Sequence, residues 1–108
     1  MTVENFANTS GFKAIALPHP EKEIEGVYVG DLLSWVMGRA KADQAWITIM
    51  SNNNIVAVAT LADTACIILA EGVMPDDGVD ALANAKGINI LVSEHGAYET
   101  ALMLAQNL

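Results

Sequence analysis

Hydrophobic and polar positions alternate along this chain in blocks, and the clearest run covers residues 46–72. There AWITIM, SNNN, IVAVATLADT and ACIILAEG read in turn as strand, polar turn, buried helix and second strand. The flanks repeat that plan. Residues 2–10 form a short helix, with Thr2 as cap, Val3, Phe6 and Ala7 on one face and Gly11 at its end. Residues 12–17 alternate as a short strand, Pro18 and Pro20 stop it, and the charged EKEIE run connects onward. Residues 27–29 make a strand closed by Gly30, and Asp31 is expected to cap a helix whose apolar stripe is Leu32, Leu33, Val36, Met37 and Ala40. Arg39 and Lys41 fall in its last turn, where cations complement the helix dipole.

Residues 45–50 are rich in β-forming side chains, and the turn 51–54 opens a helix over 55–64. That helix is apolar almost all round, so most of its sides must be covered by this domain or by a second subunit. A strand over 65–70 follows, then a loop over 71–77. The next helix is expected over 75–86, with Pro75 and Asp76 in its first turn and Gly87 just past its end. Residues 88–92 form a strand, and 93–96 turn into a last helix reaching Gln106, with Tyr98, Ala101, Leu102 and Ala105 as its inner face. The order of elements predicts an α/β fold: one domain over 1–108, mostly parallel β-sheet, helices packed on its faces, repeated β-α units.

Composition narrows the function. With 53% hydrophobic residues and few aromatics, the chain suits tight layers around strands buried on both faces. Asn52, Asn53, Asn54, Asp63 and Glu71 interrupt every apolar run before it reaches the roughly 18 residues of a membrane span. The N-terminal MTVENFANTS lacks the basic and apolar regions of a secretory signal, which leads to the expectation of a cytoplasmic protein. A net charge of −8 repels phosphate backbones and anionic lipid, so neither nucleic acid nor membrane is an expected partner. Cys66 stands alone in an apolar run, which excludes an internal disulfide and reads as a buried structural thiol.

In parallel α/β sheets ligands bind beyond the carboxyl ends of the strands. Here those ends carry Asp31 with Ser34, then Ser51, Asn52, Asn53 and Asn54, then Glu71 and Gly72, then Ser93, Glu94 and His95. All of them also suit plain capping and turn duties. Three consecutive amides can read a base or a carbonyl, and backbone N–H groups opening helix 55–64 can hold an anion, against the carboxylates on the same rim. His95 beside Glu94 resembles half of a general acid/base pair without a nucleophile. Asp31, Glu71 and His95 follow no known metal-ligand spacing, and no phosphate loop of the GxxxxGK[ST] or GxGxxG kind occurs. No cofactor is implied.

The runs GVYVGDLLSWVMGRA, AWITIM, IVAVATLADTACIILAEG and GINILVSEHGAYETALMLA together resemble the DRTGG domain family, from about residue 23 to the end. The likeness is to its small stand-alone members, similar to the regulatory N-terminal region of HPr kinase/phosphorylase. It implies an α/β domain that regulates or dimerises and does not catalyse, in a redox or energy-metabolism signalling context. Residues 51–54 stand where the family has a Thr/Arg/Asp-type turn, and Glu71, Gly72 and Val73 where it has Thr-Gly-Gly, so no anion-binding role carries over there. Three readings result: a regulatory homodimer with a protein partner, a sensor of an adenine nucleotide, and an enzyme using His95 and Glu94.

Overall fold

The computed structural model describes all 108 residues, Met1–Leu108. In chain order the elements are α1 (Val3–Ser10), β1 (Lys13–Ala16), β2 (Gly26–Val29), α2 (Leu33–Arg39), β3 (Gln44–Thr48), α3 (Asn54–Ala62), β4 (Cys66–Leu69), α4 (Val79–Lys86), β5 (Ile90–Val92) and α5 (Ala97–Ala105). One five-stranded sheet has the order β1-β5-β4-β3-β2. Strands β2 to β5 are parallel, and β1 lies antiparallel on β5 with a register shift between Ala14 and Ala16. The chain steps from β2 to β5 always in one direction. Right-handed crossovers therefore put α2, α3 and α4 on one face, and leave the other to α1 and α5.

Alternation along the strands splits the core in two. Trp46, Ile67, Leu69, Ile90 and Val92 face α2–α4 and meet Val36, Ile55, Val56, Ala59, Val79 and Ala83. Ala45, Ile47, Cys66, Ile68 and Leu91 face α1 and α5 and meet Val3, Phe6, Phe12 and Leu104. The Phe6 and Phe12 rings pack edge to face, with centroids 5.2 Å apart. Each fully buried Ile, Leu or Phe contributes about 1.5–3 kcal/mol through burial. Burial on both sides is why β3 and β4 read as continuous apolar runs.

Local signals hold at the helix ends that glycine or threonine marks. Thr2 Oγ1 accepts from Asn5 N at 3.1 Å, and Gly11 and Gly87 end α1 and α4 with φ of 77° and 75°. Four expectations need correction. Asp31 is not a helix cap: Leu32 holds that position without a side-chain bond, and of the expected stripe only Val36 is buried. Helix α4 begins at Val79, so Pro75 and Asp76 belong to the preceding loop; Asp76 N instead donates to Ser51 O at 2.9 Å.

Helix α3 is covered chiefly by its own domain, between α2 and α4, with only Ala57, Thr60 and Leu61 left exposed among its apolar and hydroxyl positions. Helix α5 buries Thr100 and Leu104 with Ala97 and Ala101 beside them, whereas Tyr98 is 77% and Leu102 43% exposed. Its inner stripe contains a threonine because Thr100 Oγ1 bonds Ser93 Oγ at 2.8 Å inside the core. That polar pair is why the apolar pattern pointed to the wrong side.

Candidate functional site

The carboxyl ends of β2–β5 form one rim, and each turn on it is tied to the next strand. Gly30 N donates to Ile47 O at 3.1 Å, and Gly30 O accepts from the indole N–H of buried Trp46 at 2.9 Å. Asp31 Oδ1 accepts from Thr48 Oγ1 at 2.8 Å and from Ile49 N at 3.0 Å. This carboxylate clamps the end of β3 in place of capping its own helix. Ser34 sits exposed on the first turn of α2.

In the next turn Ser51 Oγ donates to Asp76 Oδ1 at 2.9 Å, and Asn52 Oδ1 accepts from Asn54 N at 2.9 Å. Ile55 N and Val56 N donate to Asn52 O and Asn53 O, at 3.3 and 3.2 Å. The N–H groups at the start of α3 therefore already have partners, against the expectation of an anion site there. Asn53 and Asn54 side chains are exposed and enter a groove of about 530 Å³ between α3 and α4. Val56, Ala57, Leu61 and Leu82 line it, with Thr60, and Lys86 stands on its wall.

Glu71 and Gly72 are consecutive left-handed residues, φ 62° and 68°. Their N–H groups donate to His95 O and Ser93 O, both at 2.8 Å. A Cβ on Gly72 would lie 2.8 Å from Glu94 Oε2, the movable end of an exposed side chain, so the left-handed φ is what favours glycine here. Ser93 is fully buried, occupied by Thr100 and by the N–H of His95 at 3.1 Å. The exposed Glu94 side chain lies beside Gly72, and the carboxylate facing His95 Nδ1 is Glu99, at 3.8 Å. The His95–Glu94 acid/base pair is thus not formed. The His95 ring instead lies near Phe12, centroids 6.3 Å apart, over a small cavity of about 130 Å³.

The rim accordingly joins its residues in three separate groups and not in one crevice. Asp31 goes with Thr48, Ser51–Asn54 with Asp76 and the α3–α4 groove, and Glu71–Gly72 with Ser93–Gly96. No three His, Cys, Asp or Glu side chains come together as metal ligands, so Asp31, Glu71 and His95 do not form such a set. Thr48, Asp76, Glu99 and Thr100 were not legible as rim residues, nor was Lys86, in the last turn of α4, as part of the groove. Each comes from an element distant in sequence, or from a helix position with ordinary reasons to be polar. Burial pushes the Cys66 thiol up to about 12, which makes it a poor nucleophile.

A one-way wound α/β sheet, with turns tied to their neighbours, defines a small single-domain α/β protein. The DRTGG domain family matches residues 18–107, and the chain belongs to that family. A solved structure with the same fold is the CBS and DRTGG domains of the regulatory region of Clostridium perfringens pyrophosphatase, complexed with the activator diadenosine tetraphosphate. The TM-score is 0.76 at 17% sequence identity, covering 99% of this chain and 47% of that one. This chain therefore spans about half the length of that structure. No curated protein matches it. No helix is long and apolar enough to cross a membrane.

Proposed function

We propose that this chain is a non-catalytic regulatory module that works by association, as a homodimer, in a cytoplasmic redox or energy-metabolism setting. The observation that carries the reading is apolar surface left open by the domain's own packing. Leu32 and Trp35 on α2 are 60% and 53% exposed, and Tyr98 and Leu102 on α5 are bare as well. Aromatic anchors of this kind are what interfaces bury. The chemistry argues the same way: His95 has no base or acid within hydrogen-bond reach, Ser93 is fully occupied and Cys66 is protonated. Molar mass by light scattering at micromolar concentration tests it. A dimer is expected, and a monomer counts against it.

A second reading, a sensor of an adenine nucleotide, rests on the α3–α4 groove. Its volume lies within the roughly 300–1,000 Å³ of small-molecule sites. The Asn53 and Asn54 amides can read a base edge, and Lys86 can meet a phosphate as a point charge. A thermal-shift series with adenine nucleotides is expected to raise the melting temperature in the native chain and not in Lys86→Ala. No shift at millimolar nucleotide would remove this reading.

A further inference from the structure

The two edges of the sheet are treated differently by the sequence. Edge strand β1 carries Lys13, a register shift between Ala14 and Ala16, and Pro18 just beyond it. These are the devices that stop a strand edge from pairing. Edge strand β2, Gly26–Val29, has none of them: its sequence GVYV holds no charge, no proline and no shift against β3. Glu25 N donates to Asp43 O at 2.8 Å, so alternation turns the N–H and C=O of Gly26 and Tyr28 away from β3, onto the open edge.

Exposed apolar side chains flank that edge in both helical layers. On α2, Leu33, Val36 and Ala40 turn toward the core. At about 3.6 residues per turn, Leu32, Trp35 and Arg39 then share the flank away from α3, which overhangs β2. Arg39 stacks on Trp35 at 3.8 Å, which fixes the indole in place. Behind the sheet, α5 packs over β2 and β3. The same wheel, with Ala97, Thr100, Ala101 and Leu104 inward, turns Tyr98, Leu102 and Ala105 to the β2 side. Val29, 51% exposed, lies between the layers.

We infer that this face pairs with a second copy of the chain, β2 against β2 antiparallel, to give one continuous ten-stranded sheet with α2 on α2 and α5 on α5. The inference rests on the homodimer reading above and names its surface. A two-fold axis near Val27 sets Gly26 opposite the partner's Tyr28, so all four outward backbone groups of each copy find partners. The same axis brings the Asp31 end of α2 to the partner's Arg39 end, and large Tyr98 to the partner's small Ala105. Both relations are self-complementary. With aromatic side chains offering about 150–250 Å² each, the exposed parts of Val29, Leu32, Trp35, Tyr98 and Leu102 amount to on the order of 600 Å². A stable interface buries about 800 Å² per partner, roughly two thirds of it apolar in homodimers. The patch meets that requirement with little else.

Trp35→Asp, Leu102→Asp and, as control on α3 in the α3–α4 groove, Leu61→Asp are compared with the native chain by light scattering over a concentration series. The first two are expected to weaken association by at least about 30-fold, and the control to leave it unchanged. All three sites are exposed, so the fold is kept, which circular dichroism confirms. In the native dimer the Tyr28 amide is expected to resist hydrogen exchange, and in Trp35→Asp to exchange freely. A dimer that Leu61→Asp breaks and the other two do not, or in which Tyr28 exchanges freely, overturns this face and leaves the homodimer standing. A native chain that is monomeric overturns both.

Discussion

Cys66 illustrates how far a single side chain is governed by its layer. It lies on β4 between the sheet and the α1/α5 helices, with no exposed surface, and its burial pushes the thiol from an ordinary 9.0 up to about 12; the charge of Lys22 opposes this and is outweighed. Burial penalises the thiolate because that charge leaves water with no compensating partner. The folded value lies above the unfolded one. The thiol's contribution to stability is therefore complete below about pH 9 and lost as pH rises toward 12. Across that window the loss is on the order of 4 kcal/mol, a large share of a small domain's margin. Urea unfolding from pH 7 to 11 is expected to show native Cys66 losing stability above pH 9, with a flatter profile for Cys66→Ala. A thiol reagent is expected to label it only after unfolding. That much was legible in the sequence, since an unaccompanied cysteine in an apolar run has little else to be.

At the scale of elements, what holds the rim together is the tie from one strand end to the next. Asp31 is the plainest case, because one carboxylate oxygen closes the turn after β2 onto both the hydroxyl and the backbone at the end of β3. Charge-assisted bonds of this kind contribute about 1.5–3 kcal/mol when shielded, and less at an exposed residue such as this one. Asp31→Ala is expected to cost about 1 kcal/mol in urea unfolding, and Asp31→Asn less, because its amide oxygen still accepts. Equal losses for both would mean that the charge and not the bond matters.

Strand and helix order, and both glycine ends, could be read from periodicity because each depends on residues close in sequence. The Asp31 clamp could not, since Thr48 is 17 positions away. Nor could the true face of α5, where a threonine buried against Ser93 took a place that an apolar residue was expected to fill. The residues wrongly assigned to the interior, Tyr98 and Leu102, nevertheless carry information. They are exposed on a helix that packs over β2 and β3, as Leu32 and Trp35 are exposed at the other helical layer.

For the whole molecule, the distribution of surface follows from the winding. A sheet that steps one way gathers three helices on one face and two on the other, and ends in two free edges. Lys13 and a register shift guard one edge, and strand β2 itself carries neither a charge nor a shift. An acidic chain of net charge −8 would ordinarily keep copies apart. On the β2 side Glu25 and Asp31 bracket the strand and Asp43 pairs with Glu25, and Arg39 and Lys41 set two of the chain's five basic residues against them. The proposed pairing of two copies needs that side to be covered. The most direct measurement is the molar mass of the native chain and of Trp35→Asp, by light scattering at the same micromolar concentrations. Twice the chain mass for the native protein and a single chain mass for the variant are expected. A native protein of one chain mass, or a variant as dimeric as the native protein, would contradict the account.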